Sequence, residues 1–400
     1  MPWMAGENER IGGIAGIKKF EIFYPLLIFN FNRNFLLKQV ADKANITPAV
    51  IKWARETAHM SLEAASSKVS VQPDRLSQWE TGALQPTIRQ AEALAKAYKR
   101  PFAFFFLPQP PRDFMPLQDF RRKTAGPLTT ASVFIIREMQ QRQAWARDFY
   151  EESDELTLPF VGRFTIGNSP TVVAQDILKE LEIDPRHYQQ ASPMKEWTEK
   201  SESKGVFISR TSYINSHLLL NSEEFQGFAI ADPLVPFIFI NSDDWDSAQL
   251  FSLVHELAHI WINQSGISSE ISPEIGHANH QHPVETFCNQ VAAQALLPDG
   301  VINALPERAF DDITEVYNNA RRFGVSSFAL LVRGLEIKRI SFNRYRELKK
   351  DADEAYNEYL HRYQEKVAKQ KERGSRPNPY RVLANRVGHL FVRSVLDAFR

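Results

Sequence analysis

Apolar positions recur at helical spacing along most of the chain and at strand spacing in one middle stretch. From Ile46 the pattern opens with Thr47 as an N-cap and Pro48 at the first helical position, which predicts a helix through Trp53 to about Thr57. Ser61 caps a second short helix, Leu62 to Lys68. Pro73 opens a third that runs through Trp79 and stops at Thr81-Gly82. Ile88, Ala91, Leu94, Ala95 and Tyr98 share one face of a fourth, Thr87 to Tyr98. Short helices joined by tight turns predict a helix-turn-helix unit. Phe102, Phe104, Phe105 and Phe106 close it as packing residues, and Trp79 reads as core.

Beyond the proline-rich run from Pro108 to Pro111, residues 130–150 have helical period with Arg137, Gln140, Gln141, Arg142 and Arg147 as a polar outer face. A second helix spans about Thr171 to Glu182. Gly205 to Ser209, Phe225 to Ile230 and Val235 to Ile240 are short β-branched or aromatic runs, which predict a small sheet. If Pro236 to Ile240 lies at an edge of that sheet, it offers an extended peptide a strand to pair with. Asn241 to Asp244 is expected to cap a helix that reaches about Asn263, and Pro298 stops another that begins near 283. The remainder reads as helical, with a highly charged helix from Asp351 to Lys371 and one amphipathic helix from Leu383 to Phe399. The expected fold class is mainly α with a small sheet (α+β). The expected domains are an N-terminal extension of unknown role at 1–45, a helix-turn-helix at 46–108, a linker at 109–129, a domain of helices around the small sheet at 130–300 and a helical C-terminal region at 301–400.

Composition changes this picture little. With 43% hydrophobic and 24% charged residues, the chain reads as an ordinary globular protein. Its 48 basic residues balance 48 acidic ones, so any nucleic-acid binding must come from a local patch. The single cysteine, Cys288, excludes an internal disulfide and fits a reducing, cytoplasmic setting. The most apolar stretch, Phe20 to Phe29, contains Glu21 and Pro25, is too short to span a bilayer, and lacks a small-residue cleavage site after it. No membrane partner is expected.

The candidate chemistry lies at His255-Glu256-Leu257-Ala258-His259, within an apolar helix. Residues four apart share a helix face, so both histidines can grip one metal ion, with Glu256 beside it to take a proton from water. The bland alternative is a buried helix with two satisfied histidines. A catalytic zinc takes three protein ligands. Glu285, on the next predicted helix, is the leading third. Glu270, Glu274, His277, His280 and His282 in the intervening loop are alternatives, the histidines reading first as an exposed loop. Cys288 and Asn289 share the face of Glu285. Cys288 reads as packing, and Asn289 as a partner that orients a ligand.

Two resemblances rest on these residues. Met60 to Ala65, Leu76 to Gly82 and Pro86-Thr87 resemble the Cro/repressor (XRE) class of helix-turn-helix, within 47–107. In that class the helix from Pro73 to Trp79 enters the major groove of double-stranded DNA. The resemblance therefore implies Gln72, Asp74, Arg75 and Gln78 as base or phosphate contacts. Eight basic residues against five acidic ones leave this region modestly positive. A helical module that binds protein or dimerises is the competing reading, and a homodimer would suit a palindromic DNA site.

Glu223 to Ile230, Phe237 to Asn241, the His255–His259 motif, Glu285, Asn289, Ala292-Ala293 and Leu296 to Pro298 resemble the ImmA/IrrE metallo-endopeptidases. The likeness covers about 47–340, fused helix-turn-helix included. It implies a zincin-like metallopeptidase domain at 130–300, with Zn²⁺ held by His255, His259 and Glu285 and with Glu256 as catalytic base. Cys288 stands where alanine is usual in that family. It also implies a repressor- or antitoxin-like protein substrate, cleaved to control transcription. The alternative is a non-proteolytic transcription regulator or antitoxin whose peptidase fold senses or binds.

Overall fold

The computed structural model describes residues 42–400 except 122–125, 191, 216–217, 269–281, 373–378 and 400, with backbone alone at 215, 358–372 and 379–381. The N-terminal extension expected over 1–45 lies outside the described residues as far as 41. Lys43 bridges to Thr87, and the Ala44 N–H donates to the Pro86 carbonyl at 2.8 Å, so this short stretch is tied to the helical unit that follows.

That unit comprises α1 (Pro48–Glu56), α2 (Leu62–Lys68), α3 (Pro73–Glu80) and α4 (Ile88–Ala97). Ser61 caps α2 by accepting from the Ala64 N–H at 3.1 Å, and Thr87 with Gln90 forms a reciprocal capping box on α4. Thr47 sits at the predicted N-cap, but its hydroxyl donates instead to the Leu107 carbonyl at 2.6 Å and closes the unit end to end. Trp79, Leu76, Tyr98 and Phe105 are buried among the helices. Arg55 clamps Glu80 with two hydrogen bonds of 2.7 and 2.9 Å, so that cation is spent on the fold.

The chain continues through β1 (Gln118–Asp119), α5 (Thr130–Glu152), α6 (Pro170–Glu180), α7 (Pro193–Ser203), β2 (Phe207–Thr211), the hairpin β3 (Tyr213–Asn215) and β4 (Leu218–Leu219), β5 (Gly227–Ile230), β6 (Phe237–Asn241), α8 (Asp246–Trp261), β7 (Gly266–Ser268) and α9 (Pro283–Leu296). The main sheet runs in the order β1-β7-β5-β6-β2 and has two faces, both covered. Strand alternation sorts them. Ile208, Ala229, Ile238 and Ile240 face a core shared with α6, α8 and α9. Phe207, Phe228, Phe237, Phe239 and Ile267 face a core shared with α5 and the helix-turn-helix unit. Burial on both sides is why Val235 to Ile240 is a continuous apolar run rather than an alternating one.

Several expectations are corrected. Pro236 to Ile240 is no edge: β6 lies between β5 and β2. The stretch expected as linker supplies β1, paired in parallel with β7. Arg137, expected on a polar outer face, is 6% exposed and donates to the Tyr98 and Thr57 carbonyls, tying α5 to the helix-turn-helix unit. Asn241 to Asp244 forms a turn whose side chains bond to their own backbone, and Trp245 takes the N-cap position of α8.

The C-terminal part comprises α10 (Asp299–Asn303), α11 (Ile313–Phe323), α12 (Ser327–Glu336), α13 (Phe342–Glu372), α14 (Pro379–Val387) and α15 (His389–Ala398). Helices α11 and α12 pack on the same core as α8. The single helix expected from Leu383 to Phe399 is broken at Gly388, whose φ is +88°. A Cβ there would run into the Ile208 carbonyl of β2. That close approach lets α14 and α15 cover β2. Ser209 donates to the Arg386 carbonyl at 2.5 Å, and Glu202 accepts from the Leu390 N–H at 3.1 Å.

Candidate metal centre

From Gln249 to Trp261 every residue of α8 is buried. The helix lies between β5 and β6 on one side and α6, α7 and α9 on the other, so its sequence is apolar almost all round. The polar exceptions stand on neighbouring turns. His255, Glu256 and His259 have no exposed surface. Helix α9 crosses α8 and brings Glu285, 3% exposed, into the same spot. His255, His259 and Glu285 form the one group of three or more metal-capable side chains found among the described residues, with ligand atoms all within 4.8 Å of each other.

The ring orientations are set from behind. His255 Nδ1 lies 2.9 Å from Asn289 Oδ1, and His259 Nδ1 donates to the Gln264 carbonyl at 3.1 Å. With each Nδ1 carrying the proton, both Nε2 atoms offer lone pairs. They lie 3.1 Å apart and face Glu285, whose Oε2 is 3.3 Å from His255 Nε2 and whose Oε1 is 3.1 Å from His259 Nε2. Three acceptor groups converging with no proton between them repel one another, and a cation relieves that repulsion. Two imidazole nitrogens and one carboxylate are the donor set of a catalytic zinc site, so these residues fit the metal the sequence implied.

The charges lean the same way. Burial pushes the His259 imidazole down, toward the neutral form a ligand needs. Burial acts to raise Glu285; with His255 and His259 charged, their charge and hydrogen bonds outweigh it and hold the carboxyl at about 2, a part that a cation would take over from neutral imidazoles. Glu256 goes the other way. Burial, reinforced by the charge of Glu285, drives it well above the usual carboxylate range. Among the described residues neither of its oxygens has a hydrogen bond of ordinary geometry, and the nearby Ser268 hydroxyl offsets the rise only in part. A desolvated carboxyl beside a ligand cluster, with no partner of its own, is a group placed to take up and release a proton.

The remaining sequence candidates fall out as follows. Glu270, Glu274, His277 and His280 lie outside the described residues. His282 is exposed, accepts from the Val284 N–H as the N-cap of α9, and does not join the cluster. Cys288 is buried, and burial together with Glu285 and Glu256 pushes its thiol well up, which suits a packing residue. At the N-cap of α3 Gln72 is exposed, and on the helix Asp74, Arg75 and Gln78 are exposed while Leu76 and Trp79 are buried.

Three neighbours of the cluster escaped the sequence reading. Ser268 Oγ on β7 lies 3.4 Å from both His259 Nε2 and Glu285 Oε1. The Phe120 ring, after β1, stacks on His259 at 5.4 Å. At Gly227 on β5, a Cβ would lie 3.0 Å from Glu256 Oε1 and 2.9 Å from the Phe239 carbonyl. Only a glycine approached by a charged side chain from the facing helix would have flagged that position, and no local spacing shows it. Gly227→Ala is expected to leave metal content unchanged while displacing the Glu256 carboxyl, which costs about tenfold or more in any hydrolysis that Glu256 assists. Parallel loss of metal and activity would instead make Gly227 a support of the whole cluster.

Comparison with known families meets this geometry. The family model for the IrrE N-terminal-like domain, a peptidase family, matches residues 202–334, from the end of α7 to α12. A helix-turn-helix family model matches 51–105. No curated protein shows significant similarity to the chain. The two matched stretches fall on the metal-site core and on the four-helix unit, and the sequence resemblance named both. The chain therefore joins an XRE-type helix-turn-helix DNA-binding domain to a peptidase-family domain of the ImmA/IrrE kind.

Proposed function

We propose that the chain is a zinc-dependent endopeptidase that binds double-stranded DNA through residues 46–108. In this reading it cleaves a repressor- or antitoxin-like protein in the cytoplasm to control transcription. The observation that carries the enzymatic part is the convergence of His255, His259 and Glu285 beside an unpaired, buried Glu256. His255 Nε2, His259 Nε2 and the Glu285 carboxylate would hold the ion. Once bound, zinc supplies Lewis-acid polarisation of a peptide carbonyl and eases the ionisation of water. Glu256 takes the proton of the attacking water and returns it to the leaving amine. Asn289 and the Gln264 carbonyl keep both imidazoles in the tautomer that leaves Nε2 free. The DNA part is supported by the family match and by the exposure of Gln72, Asp74, Arg75 and Gln78 on α3. A homodimer would present two such helices to a palindromic site.

A second reading has one observation in its favour. His255, Glu256 and His259 have no exposed surface, as befits a buried structural or sensing metal site in a non-proteolytic regulator. Glu256→Gln separates the two. For the peptidase, the variant keeps its zinc while cleavage falls by about 10²–10⁴-fold. A variant with its zinc and its full effect on transcription sinks the enzymatic reading. For DNA, Arg75→Ala with Gln78→Ala is expected to cost about 1–3 kcal/mol per lost base contact. Affinity unchanged across a salt series would point to a protein partner for this face.

A further inference from the structure

Of the two ends of the sheet, the β2 end is covered by α14 and α15. The β7 end is the metal end, because Ser268 of β7 touches both His259 and Glu285. An extended peptide laid along β7 would be registered by main-chain hydrogen bonds next to the cluster. That place is taken by the chain itself. β1 pairs with β7 through Gln118 opposite Gly266 and Asp119 opposite Ile267, and the Phe120 N–H donates to the Ile267 carbonyl at 3.1 Å.

Phe120 fills the space beside the metal site. Its ring is 4% exposed and lies nearly parallel to His259, at 23° and 5.4 Å. It also meets His282, tilted at 44° and 4.9 Å away, which is exposed. The ring is thus the layer between a surface histidine and a buried ligand histidine. A Cβ at position 266 would run into it, so the glycine is what lets an aromatic ring lie on β7 here. The strand that carries it is two residues long, with Gln118 and Asp119 both exposed. Met115 just before it is 84% exposed. So short a strand adds few main-chain bonds, and the segment is held chiefly by the buried Phe120 ring and by the Arg121–Asp119 pair.

We propose that Gln118 to Phe120 is an internal occupant of the peptide-binding edge, a pseudosubstrate that must leave before cleavage. The substrate class then follows. It is an extended protein segment that lays an aromatic side chain between His259 and His282, over Gly266. This deepens the peptidase reading and rests on it. It also gives the burial of His259 a cause that needs no non-proteolytic role.

The test uses the zinc-loaded full chain and its Phe120→Ala variant. A coloured chelator is expected to strip zinc from the variant at least tenfold faster than from wild type. A fluorescent peptide copying residues 116–121 is expected to bind the variant at least tenfold more tightly than it binds wild type. It should also bind at least tenfold more tightly than the same peptide with alanine for its phenylalanine, and should slow zinc loss again. Equal stripping rates, or equal binding of the two peptides, would overturn the proposal. Should Phe120→Ala not fold, hydrogen exchange on wild type decides. Saturating peptide must speed exchange at the Phe120 N–H, and unchanged exchange with peptide bound counts against displacement. Neither readout needs hydrolysis. Both results as expected, with no cleavage by any variant, would remove the peptidase reading and leave the occupant in place.

Discussion

Four ionisable side chains share one apolar core, and most of the fold around them answers that constraint. His255, Glu256 and His259 are fully buried and Glu285 nearly so. Groups of this kind cost several kcal/mol each to bury unless they are paired or held by a metal. The outer nitrogens of the imidazoles are satisfied by Asn289 and the Gln264 carbonyl, which leaves the inner ones aimed at Glu285. What remains unsatisfied is an inward-facing set of lone pairs and the carboxyl of Glu256. A divalent cation would resolve the first, and in the proposed hydrolysis a reacting water would engage the second.

The sheet relates this centre to the other half of the molecule. Its isoleucine face packs on the helix that bears the histidines, and its phenylalanine face packs on α5 and the helix-turn-helix unit. Arg137 adds a buried bridge from α5 to the Tyr98 and Thr57 carbonyls. The helix that bears the histidines packs on one face of the sheet and α5 on the other, and α3 is joined to that second face through α5 and its own helical unit. The two units are thus joined by packed side chains and buried hydrogen bonds rather than by a loose tether alone.

Much of this was legible in the sequence because the signals are local. Caps, helical period and the four-residue spacing of His255 and His259 act within one element. The loss of alternation in Val235 to Ile240 reports burial on two faces. Glu285 was legible as a carboxylate on the next helix, although only the packing of α9 on α8 selects it. What stayed hidden depends on distant partners. Two residues at 118–119 give no strand signal until β7 pairs with them, and that is why a presumed linker holds Phe120 against His259. Arg137 looked like a solvated charge because nothing nearby in sequence reveals the two carbonyls that receive it. Pro236 to Ile240 looked like an edge because strand order is not written in the strand itself. Gly388 breaks a predicted helix because β2, far away in the chain, passes too close for a side chain.

The central claim is that His255, His259 and Glu285 are a zinc site, and stoichiometry tests it most directly. Elemental analysis of the purified protein is expected to find one zinc per chain, with chelation lowering the thermal midpoint as the folded state loses its ligand. Glu285→Ala is expected to lose both the zinc and the chelator-sensitive stabilisation. Wild-type protein without stoichiometric zinc, or Glu285→Ala holding zinc as firmly as wild type, would contradict it.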